Sequence, residues 1–186
     1  MGLRADVLDF LACNDADADD DEAVRTRFDE FASHRGVSAE TDRADRSDRP
    51  ELTDRGRRLV DRVRLLDTAP VGVTLCGPAY RDTPILYANR TFREVTGYST
   101  DELRGRNPRL LQGPRTGSEA VAKLREAVSI WEPVTVEVWN HRRDGTPFLN
   151  RVSLRPLPGV DGTVTHWAAV QDPVEGAGCP IDRLID

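Results

Sequence analysis

Three short segments in the second half of the chain, residues 134–139, 148–154 and 164–170, constrain the fold most. Each carries β-branched or aromatic residues and is bounded by turn residues, and Val152 and Leu154 alternate with outward positions. Arg143-Asp144-Gly145 separates the first pair and Gly159-Val160-Asp161-Gly162 the second, both good turn chemistry. Parallel neighbours need a crossover of a dozen residues or more, so turns this short impose an antiparallel sheet. Residues 71–76 and 85–88 read as two further strands around a Gly77-Pro78 turn.

Helical signals fall between and before the strands. Asn89 is placed to cap a helix over 91–96 that stops at Gly97, and Ser99-Thr100-Asp101-Glu102 opens another turn of helix that stops at Gly105. In Gly105-Arg106-Asn107-Pro108-Arg109-Leu110-Leu111-Gln112-Gly113, Asn107 is a capping residue and Pro108 suits the first helical position, so about one turn follows before Gly113-Pro114 ends it. Val121, Leu124 and Val128 recur at helical spacing within 117–130, and Leu59, Val60, Val63 and Leu66 do so within 52–66, where Thr53 or Asp54 is the cap. The expected class is α+β: five antiparallel strands with the helices on one face. The division is an acidic, partly helical extension over 1–49, a flanking helix over 50–66, a core over 67–174 and a short tail over 175–186. In the extension, Leu3, Val7, Leu8, Phe10 and Leu11 could form one side of a first helix, and Val24, Phe28 and Phe31 mark a second over 20–33 that Gly36 would stop. The acidic run 15–22 between them and the mixed-charge stretch 41–49 read as linker and loop. The extension is either a partner-binding or dimer-capping element or a tail packed on the core.

Net charge is −6, from 32 acidic and 26 basic residues, and Lys123 is the only lysine. An acidic, lysine-poor surface of this kind resembles proteins of salt-loving organisms and leans away from non-specific nucleic-acid binding. No apolar run approaches a membrane span, and the N-terminus lacks a signal-peptide layout, so a soluble cytoplasmic protein is expected. Cys13, Cys76 and Cys179 are far apart, and His34, His141 and His166 are scattered singly; no metal site is expected.

The stretch 105–113 resembles the GxNCRFLQG signature of the LOV domains, flavin-binding blue-light sensors of the PAS superfamily. Pro84-Ile85-Leu86-Tyr87-Ala88-Asn89 with Phe92, Thr96-Gly97-Tyr98-Ser99, and Arg142-Arg143-Asp144-Gly145-Thr146-Pro147-Phe148 agree with it, and the likeness runs from about Val71 to Asp172. One departure bears on mechanism: Pro108 stands where the family carries its photoreactive cysteine.

The resemblance implies FMN as cofactor. Arg109 and Arg125 would hold the phosphate, since guanidinium matches phosphate geometry. Asn107 and Gln112 would bind the ribityl hydroxyls, Asn140 and Asn150 the pyrimidine edge, and Gln171 the N5 and O4 atoms. Val152 and Leu154 would line the ring, and Cys76 matches a position near the flavin that is often Thr in the family. No insertion after the signature makes room for an adenine half, so FMN is favoured over FAD.

With no thiol at 108, the expected photochemistry is reduction of the excited flavin to a protonated semiquinone, with Trp131, Trp139, Trp167 or a tyrosine as donor and a reorientation of Gln171 as the switch. Partners implied are a homodimer through the N-terminal helices and a separate effector protein. Two alternatives stand beside this reading: a flavin-based redox sensor, and a PAS-type dimerisation domain without photochemistry. An enzyme is not expected, because the chain has neither a GxGxxG fingerprint nor a recognisable acid/base pair.

Overall fold

The computed structural model describes residues 2–12, 21–35, 52–159 and 161–174. Cys13, Cys179, Gly36, residues 15–20 of the linker expected over 15–22, the loop expected over 41–49, and the C-terminal tail lie outside the described residues, and Asp21 and Glu22 belong instead to the first turn of α2. The elements run α1 (Leu3–Ala12), α2 (Asp21–Arg35), α3 (Asp54–Leu65), β1 (Gly72–Cys76), β2 (Ile85–Ala88), α4 (Arg90–Thr96), α5 (Thr100–Leu103), a 3-10 turn (Pro108–Leu111), α6 (Ser118–Ile130), β3 (Val134–His141), β4 (Pro147–Pro158) and β5 (Val164–Pro173).

The five strands form one sheet in the order β2-β1-β5-β4-β3, and every pairing is antiparallel. The first strand is therefore interior and pairs with the last, as the family resemblance implies, although the last strand, β5, holds the centre. Because side chains alternate across a strand, the register fixes one face: Thr74 lies opposite Ala169, Cys76 opposite Trp167, Val152 opposite Gln171, and Asn150 opposite Val138. This inner face looks towards α6 and the segment 107–112, which enclose a cavity with it.

The outer face is covered too. Val73, Leu75, Ala168 and Val170 pack in one cluster with Val7, Leu8 and Leu11 of α1, Phe28 of α2, and Leu59, Val60 and Val63 of α3. Covering both faces explains why all five residues of β1 are buried. Phe10 joins Phe28 and Phe31 in an aromatic trio with ring centroids 6.0 to 6.2 Å apart. The core helices thus take one face of the sheet and the N-terminal helices the other.

Local chemistry sets the helix boundaries. Thr53 accepts from the Gly56 N–H at 3.1 Å to start α3. Asn89 caps α4 through Phe92 N at 3.0 Å and is buried, its oxygen also accepting from Val73 N at 2.8 Å. Ser99 and Glu102 form a reciprocal capping box on α5. Gly97 ends α4 at a φ of 78°, a conformation that costs a side chain dearly.

β4 runs four residues past its expected end at Leu154, through Pro156 and Pro158. The reason is topological. β3 begins at Val134, opposite Leu154, so beyond that point β4 has no neighbour on its β3 side, and a proline without an N–H is tolerated on an edge.

Candidate functional site: a cavity with an amide row

A cavity of about 420 Å³ lies between the inner face of the sheet, the 107–112 segment and α6, well within the size range of cofactor sites. Val121, Leu124 and Val128 of α6 and Val138, Val152, Leu154 and Ala169 of the sheet make its walls apolar. Polar groups are few and gathered at defined places.

The chief polar feature is a row of buried side-chain amides across three strands. Asn150 Nδ2 donates to Asn140 Oδ1 and to Gln171 Oε1, both at 2.8 Å. Gln171 Nε2 donates to Thr74 Oγ1 at 3.2 Å, and Asn140 Nδ2 to the Leu111 carbonyl at 3.4 Å. Asn140, Asn150 and Gln171 are at most 8% exposed. Within this row Asn150 Oδ1 is buried with no donor. A buried acceptor left without a partner is costly, about 1–3 kcal/mol, and Asn150 itself stands outside the cavity lining. Asn140 and Gln171 do line the cavity, and Asn150 ties them together from behind.

The 107–112 segment forms the opposite wall. Asn107 caps the 3-10 turn, accepting from Arg109 N at 2.8 Å, with Pro108 at its first position. The expected helical turn is present, wound as 3-10. The Asn107 Nδ2 group is committed elsewhere: it donates to the Asp82 carbonyl at 2.6 Å and to Thr83 Oγ1 at 2.8 Å. Asn107 therefore staples this turn to the loop before β2 while lining the cavity. Pro108 lines it as well, presenting only carbon, and exposed Gln112 sits at the turn's C-terminal end.

Arg109 and Arg125 both stand at the cavity, and both are exposed. Arg109 is ion-paired with Asp82, a residue that no sequence signal singles out. Among the described residues Arg125 has no ion-pair partner. Two guanidiniums at one mouth suit a doubly charged group, and Asp82 competes with that group for Arg109.

Cys76 lines the cavity from β1, and burial pushes its thiol up to about 12, so the group stays protonated. The sequence-derived positions, Asn150 excepted, line one cavity from four strands, one turn and one helix, and Asn150 reaches it only through Asn140 and Gln171. Thr74, Thr83, Leu111, Val138 and Ala169 were missed as lining residues, as were Val121, Leu124 and Val128, read only as an apolar helix stripe, and Trp167, read only as a candidate electron donor. Strand alternation could have found Thr74, Val138 and Ala169, which stand two residues from Cys76, Asn140 and Gln171. Gly113 has its own reason to be glycine: a Cβ there would lie 2.4 Å from the His141 ring.

A family model described as a PAS domain matches residues 70–172. The chain is 38% identical over 140 residues to the bacterioopsin transcriptional activator of Halobacterium salinarum, covering 70% of this chain and 20% of that protein. It is 39% identical over 101 residues to blue-light-activated histidine kinase 1 of Erythrobacter litoralis, covering 54% of this chain and 28% of the kinase. The chain thus spans a fifth to somewhat over a quarter of the length of these relatives. Among solved structures, it resembles the LOV domain of a blue-light activated histidine kinase from Erythrobacter litoralis, with a TM-score of 0.54 and 34% identity over 56% of this chain and 96% of that one. It also resembles the LOV domain of the blue-light photoreceptor Aureochrome1, with a TM-score of 0.56 and 37% identity over 61% of this chain and 89% of that one. With the sheet order, the enclosed cavity and these likenesses together, the chain belongs to the PAS family, within its light-oxygen-voltage (LOV) group.

Proposed function

We propose that this chain is a flavin-binding blue-light or redox sensor that works without a cysteine–flavin bond. The observation that carries the reading is the apolar cavity with two buried amides in its lining, Asn140 and Gln171, held in a row by Asn150 behind them. A flavin ring offers an edge of alternating N–H and carbonyl groups that complements such a row. The relatives' names support the sensory role: four carry "blue-light" in their descriptions. FMN fits the two guanidiniums at the mouth, Arg109 and Arg125, better than a neutral ligand does. When bound, FMN supplies a chromophore that absorbs blue light and can take up an electron and a proton.

The cavity residues restrict the chemistry and set the route of the signal. Pro108 has no nucleophile to offer, and Cys76 is held as a thiol. Gln171 Oε1 now accepts from Asn150, while its Nε2 donates to Thr74. If the facing ligand edge turns from acceptor to donor, Gln171 must present oxygen there and rotate its amide, because an amide has one donor end and one acceptor end. Rotation sets the Gln171 NH2 against the Asn150 NH2, so the row must rearrange with it. The neighbouring Asp172 ion-pairs with Arg4 of α1 on the outer face. A change on the inner face of β5 therefore has a direct route to the N-terminal helices, a local switch with a global readout. The apolar stripes of α1 and α3 are spent inside the chain. A homodimer through these helices then needs their polar outer faces or their release from the sheet, and an effector protein faces the same choice.

The test is an absorption spectrum of the purified chain, before and after blue illumination, with and without reductant. A flavin spectrum that illumination shifts towards the reduced form supports the reading, and a preparation that stays colourless after incubation with FMN ends it. In the Gln171→Leu variant flavin should stay bound while the light-dependent structural change weakens. A full response from that variant would remove Gln171 as the switch.

A further inference from the structure

We infer that Trp167 is the residue that gives an electron to the photoexcited flavin. This rests on the proposed flavin-binding function and adds to it the identity of the donor. The sequence contains three tryptophans, at 131, 139 and 167, and only position decides between them. Trp131 caps α6 at a φ of 58° and is 63% exposed, away from the cavity. Trp139 on β3 does not line the cavity; its ring lies against the Arg115 guanidinium, 5.3 Å from the ring centroid. Trp167 is 2% exposed and lines the cavity from β5. Among the described residues no other aromatic side chain lines that cavity.

Trp167, Ala169 and Gln171 share the inner face of β5. Four residues of strand separate the ends of this set by roughly 13 Å. A long flat ring whose polar edge meets Gln171 therefore lies over Ala169 and brings its opposite end to the Trp167 indole. The small side chain of Ala169 leaves the path between them open. Indole is the most readily oxidised neutral side chain in proteins, and contact distance makes its electron transfer faster than emission. The other oxidisable group in the cavity is Cys76, the register partner of Trp167 on β1. Burial keeps its sulfur protonated, and a thiol gives up an electron far less readily than a thiolate. Tyr87 is buried in the outer cluster with its hydroxyl on Asp67, on the wrong side of the sheet.

The step is electron transfer alone. Trp167 loses one electron, the excited flavin gains one, no bond forms or breaks, and return of the electron restores both partners. The transfer has two signatures: quenched flavin fluorescence, and transient oxidation of indole.

The experiment uses the full chain loaded with FMN. Trp167→Phe keeps an aromatic ring of similar shape and removes the donor, so flavin fluorescence should become several-fold longer-lived. Trp167→Tyr restores an oxidisable ring and should shorten it again, whereas Trp139→Phe should leave it unchanged. An unchanged lifetime in Trp167→Phe, in protein that retains flavin, overturns the assignment while leaving the sensor reading intact. Should Trp167→Phe fail to fold, the doubly substituted W131F/W139F chain leaves Trp167 as the sole tryptophan without touching the cavity. Transient absorption of oxidised indole in that chain supports the assignment, and its absence overturns it. Failure of the wild-type chain to bind FMN removes both the donor and the function it serves.

Discussion

Asn150 acts through its neighbours. Its nitrogen holds the cavity-lining amides Asn140 and Gln171 in place. Replacing it with leucine removes both hydrogen bonds while keeping the volume. Asn150→Leu should raise the FMN dissociation constant by about 10- to 100-fold, equivalent to about 1–3 kcal/mol. A fluorescence titration reads this, and an unchanged affinity would mean that the row does not face the ligand. Gly113 makes a different kind of residue-scale case. The His141 ring occupies the space a Cβ needs. Gly113→Ala should therefore cost about 1–3 kcal/mol of stability through overpacking, read as a lower urea midpoint. His141→Ala in the same chain should recover most of it. Both glycine and asparagine stood out in the sequence, but the reasons for their chemistry lie on partners 28 and 10–21 positions away.

At the scale of elements, α1 is the informative piece. Its amphipathic pattern was legible in the sequence, and its partner was not. The helix lies on β4 and β5 with Val7, Leu8 and Leu11 buried. Ion pairs of Arg4 with Asp172 and of Asp9 with Arg155 fix it along the strands. Burial of aliphatic side chains contributes far more than partly exposed ion pairs. Leu11→Ala should accordingly weaken docking of α1 by about 2–5 kcal/mol, and Arg4→Ala by less than about 1 kcal/mol. Hydrogen exchange at the α1 amides distinguishes the two. An Arg4 effect as large as that of Leu11 would show that charge, not apolar contact, holds the helix to the sheet. The 3-10 turn at Pro108–Leu111 shows the complementary case, because its cap and its proline are both local signals and the sequence placed it within a residue.

For the whole molecule, acid sensitivity is a consequence of covering both faces of the sheet. His166 of β5 is 6% exposed beneath α3, and burial, aided by the Arg55 guanidinium, lowers its pKa to about 4. The folded chain keeps this imidazole neutral, while the unfolded chain protonates it near 6.5. Protons therefore favour unfolding: the stability is complete above pH 6.5 and is lost as pH falls towards 4. Between pH 7 and 5 the loss from this group should be about 2 kcal/mol. His166→Leu should flatten that part of the curve in urea unfolding at the two pH values. An unaltered slope would place the acid-sensitive group elsewhere.

Sequence alone determined the local grammar: the turns at Gly145 and Gly162, the caps at Asn89, Ser99 and Asn107, and the resemblance that named many of the cavity residues, while the cap of α3 was left between Thr53 and Asp54. These are signals between residues a few positions apart, so no folding is needed to read them. Tertiary structure decided what depends on distant partners. It commits the Asn107 amide to the loop at Asp82, pairs Arg109 with Asp82, leaves Asn150 Oδ1 unclaimed, and turns Trp167 rather than Trp139 or Trp131 towards the cavity. The physical reason is that which side chains meet is fixed by strand register and by what covers each face, and both arise only when the sheet closes between its two layers of helices.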